Sequence, residues 1–198
     1  MHESVKDLYE QRDTLWVLSR AAERCSPDGV REALAHADSA LRKATPTLQA
    51  DHPRIRQVAD SIAGETREPC ALMRTLTAFV HRFVAYRRMP SYSSALETLE
   101  AGFGDCSEYA VLLAALLRAR NVPARVFQGF VYAPSRRAYL GHAWVGVQLD
   151  GQWLFADPSH GRFPAADGLV PLLIDDDGTE MREMLRLIDK VTVEYVVE

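Results

Sequence analysis

The chain has 198 residues, a formal net charge of −4 and 47% hydrophobic residues. It is long enough to bury a sizeable core as a single domain. Its mild acidity argues against a nucleic-acid binder, which shows a basic face; Arg87-Arg88 and Arg136-Arg137 read as solvated pairs. There is no stretch of membrane-span length, and the first twenty residues carry acids and lack an apolar core, so no signal peptide is read and a cytoplasmic location is expected. Cys25, Cys70 and Cys106 cannot all pair internally and form no CxxC motif. Neither a disulfide framework nor a zinc site is therefore expected, and a reducing compartment fits.

Residues 3–24 form a weakly amphipathic segment with Leu8, Leu15, Trp16 and Leu18 as its apolar positions. Ser26-Pro27 opens a second helix through Val30, Leu34, Ala37 and Leu41. Residues 1–44 thus read as an N-terminal helical extension, and 45–198 as the main core. After an irregular connection at 44–53, Asp51 is expected to cap a helix with Ile55, Val58, Ala59 and Ile62 on one face. Glu68-Pro69 starts the next helix, whose buried stripe is Leu72, Leu76, Phe79, Val80 and Phe83. The loop MPSYSS leads to a short helix over 95–100, and GFGD turns the chain into a helix that begins at Cys106.

Beyond Asn121-Val122-Pro123 the apolar period changes from helical to alternating. ARVFQGFVY, HAWVGVQL and QWLFADP read as three strands, with a hairpin signal at Asp150-Gly151. The first two strands pair antiparallel across the SRR turn. DDDG at 175–178 marks a turn, and VTVEYVV at 191–197 a closing strand. Helices first and strands after give an α+β class: N-terminal helices packed on an antiparallel sheet.

Cys106 at a helix start is a candidate nucleophile. The unpaired N–H groups and the dipole of a helix N-terminus favour thiolate over thiol, so a depressed pKa is expected. The alternative is a small buried apolar residue. His142 opens one strand and Asp157 closes the next, eight residues before and six after the hairpin, at similar heights across the pair. A carboxylate beside an imidazole can fix its tautomer and support its charge, the logic of a Cys-His-Asp triad. Each residue alone also has a structural reading: His142 as a polar edge residue, Asp157-Pro158 as a turn.

GDCSEYAVLLAALLRARNVPARVFQGFVY, then GHAWVGVQLDGQW, then ADPS resemble the transglutaminase-like superfamily of papain-related folds, over roughly residues 45–165. The family pattern is a Cys at a helix start, G-I-P-x-R at the helix end, H-x-W on a strand, then W and D-P. Asn121 stands where the pattern has Gly, and Asn tolerates the left-handed helix end. The resemblance implies a papain-like core with Cys106 as nucleophile, His142 as base and acid, and Asp157 as orienter. It implies attack on an amide carbonyl of a peptide or protein substrate through a thioester, most readily as peptidase or amidase. Glutamine-directed amine transfer and an inactive binding module are the alternatives. In the family's crosslinking enzymes an upstream Trp helps hold the oxyanion; SYSSALETL places Tyr92 there, with the Cys106 N–H as second donor. Tyr92 can equally be a loop aromatic capping the core. Trp144 and Trp153 read as packing residues, with Trp144 also a candidate wall of the substrate cleft.

No cofactor, metal, nucleic-acid or membrane partner is expected. Asp157, His160 and His142 could be read as metal ligands, but they match no ligand motif and would compete with the triad. DDDGTE departs from a calcium loop in its Gly position. His81 reads as a surface or half-buried helix residue.

Overall fold

The structure is a computed structural model that describes residues 3–12, 15–18, 25, 39–149, 152–165 and 167–179. Among the described residues, four α-helices carry one side of the core: α1 Pro53–Ala63, α2 Pro69–Phe83, α3 Ala95–Ala101 and α4 Cys106–Ala119. Their starts follow local chemistry. Glu68 caps α2 by accepting from the Cys70 and Ala71 amides at 2.8 and 2.7 Å, with Pro69 in the first turn. Ser94 and Glu97 form a reciprocal capping box at α3, and Asp105 and Glu108 form another at α4. At α1 the cap is His52, whose Nδ1 accepts from the Arg54 amide, one residue later than the Asp51 expected from sequence.

The main sheet has four antiparallel strands in the order β7-β6-β5-β8: β5 Ala124–Ala133, β6 Ala138–Leu149, β7 Gln152–Ala156 and β8 Leu169–Ile174. The β6–β7 register pairs Leu149 with Gln152 and so joins these strands through two residues, as the hairpin signal requires. Asn121, just past α4, has φ 63°, the left-handed conformation that Asn accommodates. Two short parallel strands, β3 Ala85–Tyr86 and β4 Phe103–Gly104, tie the end of α2 to the turn before α4. The expected α+β class, with helices packed on an antiparallel sheet, is therefore what the chain adopts.

Alternation along β5, β6 and β7 divides the core. Ala124, Val126, Ala143, Val145, Val147, Leu154 and Ala156 face the helices. Phe127, Trp144, Trp153 and Phe155 build an aromatic layer on the other face, with Val5 and Leu8 among its partners. That packing shows where the N-terminal reading fails. Residues 3–12 and 15–18 are a 3-10 helix at Glu3–Leu8 followed by two strands that pair antiparallel, β1 Tyr9–Arg12 and β2 Leu15–Leu18. The segment is held to the sheet edge: Tyr9 donates to the Pro171 carbonyl at 2.6 Å, and Ser4 Oγ accepts from the Ile174 amide at 3.0 Å. The helix expected over 26–41 falls mostly outside the described residues; of that span, the described end is a 3-10 turn at Ser39–Arg42. The closing strand expected over 191–197 lies outside them as well.

Three further differences have physical causes. Strand β8 was not expected, because Pro171 interrupts its pattern; as an edge strand it tolerates a residue without an N–H. Phe83, placed in the buried stripe, is 37% exposed, because α2 ends there and the ring stacks on Phe79 instead. No disulfide framework is expected from the sequence, yet Cys25 and Cys70 form a disulfide between the N-terminal region and α2. The count of three cysteines is odd only because Cys106 stays free. Disulfides persist in oxidising compartments, so the bond removes the argument for a reducing one. Among the described residues no helix is long and apolar enough to cross a membrane.

Candidate active site

Helix α4 opens on Cys106 because Asp105, in an extended conformation, turns its carboxylate back onto the Ser107 amide at 3.1 Å. The second Asp105 oxygen accepts from the Met89 amide at 3.2 Å. Glu108, 1% exposed, accepts from the Asp105 amide and from the Ser93 amide, both at 3.0 Å. The two carboxylates thus dock the 89–93 loop, which carries Tyr92, against the first turn of α4. Gly104 makes room for this, since a Cβ there would lie 2.3 Å from Glu108 Cβ.

The backbone N–H of Ala143, the residue after His142 on β6, bears on the Cys106 thiol and favours its thiolate. Cys106 is half-buried and unpaired. Burial pushes its thiol up to about 11, with the Asp105, Asp157 and Glu108 carboxylates acting in the same sense and the Ala143 amide opposing them. The depressed pKa expected from the helix terminus is not what this surrounding produces, because burial and three nearby carboxylates disfavour the thiolate. The thiol rests protonated.

His142 Nε2 lies 2.8 Å from Asp157 Oδ2. Asp157 follows β7, beyond the last registered pair Val145–Ala156, so the hairpin brings the two to the same end of the sheet. The His142 ring is 6.1 Å from the Trp144 ring in a stacked arrangement. Asp157 is 1% exposed yet heavily satisfied: Oδ1 accepts from Ser159 Oγ at 2.9 Å and from the His160 amide at 3.2 Å, while Oδ2 also takes His160 Nδ1 at 2.7 Å. Burial alone would raise this carboxyl, but the hydrogen bonds and charges of His142 and His160 hold it well below the usual carboxylate range.

The turn that carries Asp157 is anchored from below by α2. His81 Nδ1 lies 3.1 Å from the Pro158 carbonyl, and the Arg74 guanidinium stacks over the Phe163 ring at 5.5 Å. Gly161, at φ 63°, is needed there, because a Cβ would approach the His81 ring to 2.8 Å. Neither His81 nor His160 was singled out for this arrangement from sequence. For His160 a signal existed, since D-P-S-H puts an imidazole three residues on within a turn. For His81, 77 residues from Pro158 in the chain, no local signal exists.

The other named residues are placed as follows. Tyr92 lines a cavity of about 390 Å³ with Met89, Ser91, Asp105, Ser107 and Glu108. Its hydroxyl is buried without a hydrogen-bond partner among the described residues, and burial followed by the Asp175 and Glu108 charges raises its pKa. Trp144 is fully buried between Phe127, Phe155 and His142. It supports the His142 ring from inside the aromatic layer and does not wall an open cleft, which corrects the second role considered for it. Among the described residues, His142, Asp157 and His160 also form a donor set whose ligand atoms lie within 4.8 Å of one another. Their shortest contacts are those of imidazoles hydrogen-bonded to a shared carboxylate oxygen.

Residues 56–158 match the family model of the transglutaminase-like superfamily. The chain belongs to that superfamily. This places it among cysteine enzymes in kind. A protein-glutamine gamma-glutamyltransferase of Pseudomonas aeruginosa is 34% identical over 125 residues, covering 55% of this chain and 18% of that protein. Among solved structures, a candidate cysteine protease from Cytophaga hutchinsonii superposes with a TM-score of 0.61 at 23% identity, covering 74% of this chain and 52% of that one. Legionella pneumophila LapG superposes with a TM-score of 0.50 at 14% identity, covering 83% and 94%. The two structures show a shared fold. The chain spans about a fifth of the curated Pseudomonas relative and about half of the Cytophaga structure.

Proposed function

We propose that this transglutaminase-like domain is a cysteine-dependent acyl-transfer enzyme that cleaves amide bonds of a peptide or protein through a thioester. The observation that carries the reading is the buried His142–Asp157 hydrogen bond of 2.8 Å, on the strand whose next amide bears on the Cys106 thiol. In this reading Cys106 attacks the carbonyl while its proton passes to His142, whose Nδ1 is the acceptor because Nε2 is engaged with Asp157. The imidazolium that forms is stabilised by Asp157. It then returns the proton to the leaving amine, and water resolves the thioester with His142 again as base. A thiol resting protonated fits this order of events: the proton moves as attack occurs. The Cys106 amide at the start of α4 and the Tyr92 hydroxyl are the proposed oxyanion donors.

Hydrolysis is favoured over amine transfer by the rim beyond Asp157, where Ser159 is half-buried and His160, Gly161 and Arg162 are exposed. A polar open rim admits water, and amine transfer requires its exclusion. The second reading, transfer of a glutamine acyl group to a primary amine, is supported by the 34% identity to the Pseudomonas gamma-glutamyltransferase. One experiment separates them. An acyl-donor peptide is supplied with a millimolar primary amine, and the products are resolved by mass. A predominance of the free acid supports the hydrolase; a predominance of the amine adduct supports the transferase. The absence of both in wild-type protein would leave the binding-module alternative.

A further inference from the structure

Asp157 Oδ2 is approached by two imidazoles at once, His142 Nε2 at 2.8 Å and His160 Nδ1 at 2.7 Å, with ring centroids 5.0 Å apart. A catalytic orienter needs only one of them. The two rings differ sharply in access to water, since the side chain is 5% exposed for His142 and 53% exposed for His160. Charge on a buried imidazole is penalised by desolvation, and two like charges on neighbouring rings disfavour each other.

We propose that His160 is a positioning residue for His142: it shares the Asp157 oxygen, carries the proton of the imidazole pair, and so keeps His142 neutral and ready to accept the Cys106 proton. This rests on the catalytic reading of His142 given above. The groups facing His160 are consistent with the assignment. Its hydrogen bond to Asp157 raises it above the ordinary histidine value, while burial and the Arg162 charge oppose the rise. From α2 beneath the turn, His81 faces the Pro158 carbonyl and Gly161. Ser159 and the His160 amide occupy the other Asp157 oxygen, so Oδ2 is left to the two rings. The arrangement would extend activity to lower pH. While His160 holds its charge, a second proton on His142 is disfavoured and the base stays available.

Two measurements test this, and they fail independently. In the first, the His160 imidazole is titrated by NMR in a Cys106→Ala protein and again with His142→Ala added. Removing the competing donor should raise the His160 midpoint by about 0.5–2 pH units, the span for a nearby charge or strong dipole between a watery and a protein-surface dielectric. An unchanged midpoint overturns the sharing of Asp157, whether or not Cys106 is a nucleophile. In the second, acylation by an activated peptide ester is followed against pH in wild type and in His160→Asn, which keeps an N–H donor but cannot titrate. The acid limb of the variant should move upward by about 0.5–2 pH units while the protein stays folded. A limb that stays in place or moves downward overturns the proposal. A wild-type protein that forms no acyl-enzyme at all refutes the catalytic reading instead, and the NMR measurement still decides the coupling.

Discussion

The backbone N–H of Ala143 bears on the Cys106 thiol and partly offsets its burial, so the free cysteine at the start of α4 and the residue after His142 are neighbours where the helix meets the sheet. Neither a helix N-terminus nor a strand residue specifies this alone. It arises because α4 packs on the face of the sheet that Ala143 shares with Val145 and Val147.

The first prediction concerns that thiol. Under non-reducing conditions the folded protein should take up one alkyl group, on Cys106, because Cys25 and Cys70 are bonded to each other. The rate should keep rising with pH toward about 11, since burial favours the neutral thiol. Labelling is followed by intact mass and peptide mapping. A rate already flat at pH 7 would mean a resident thiolate, contrary to the environment described here.

Asp157→Asn should leave the fold intact and lower turnover by about 10–10⁴, by the logic of a serine triad in which the same change holds the wrong imidazole tautomer. Substrate binding should change little. Steady-state kinetics check this, and full turnover in the variant would remove Asp157 from the reaction.

Stability should depend on pH through the same cluster. The Asp157 carboxyl is depressed in the folded protein, so its contribution is present above the ordinary carboxylate range and lost as pH falls below it. His160 is raised, so its contribution is complete below about pH 6.5 and lost as pH rises through its folded midpoint. Melting temperature should therefore pass through a maximum between about pH 4 and 6.5 in the part that depends on this cluster. His160→Asn should remove the decline on the alkaline side. Thermal melts of both proteins from pH 4 to 9 decide it, and parallel curves would show that the contact contributes nothing measurable.

Tyr92→Phe separates packing from catalysis. The hydroxyl is buried and unpartnered among the described residues, so its removal should hold or slightly raise the melting temperature. If it donates to the oxyanion, turnover should fall by roughly 10²–10³. Unchanged turnover would make Tyr92 a loop aromatic that closes the cavity beside α4.

Glu108 is the buried acid that joins the Tyr92 loop to the Cys106 turn. Glu108→Gln keeps one acceptor and sets an amide donor against an amide N–H. A loss of about 1–3 kcal/mol is expected, the cost of leaving a buried backbone donor unpaired. Chemical denaturation measures it, and a neutral result would show that the loop is held by other contacts.

Local signals carried much of this architecture. Pro69 behind Glu68, the Asp105–Glu108 box, Asn121 with positive φ, and the alternation along β5 to β7 are each decided within a few residues, and each was readable. The pairing of His142 with Asp157 was also readable, because a two-residue hairpin fixes their register. What failed depends on distant partners. The paired strands β1 and β2 look helical until the edge of β8 is there to receive Tyr9 and Ser4. The Cys25–Cys70 bond joins residues 45 apart. The sign of the Cys106 shift depends on burial and on Asp157, neither of which a helix start reveals.

The most direct measurement is a rapid-quench mass analysis after mixing the protein with an activated acyl donor. The account predicts one acyl group on the tryptic peptide that contains Cys106. It also predicts that the adduct forms about 10²–10⁴-fold more slowly in His142→Ala, the usual contribution of a positioned general base. An adduct on another residue, or the same rate in the His142 variant, would contradict it.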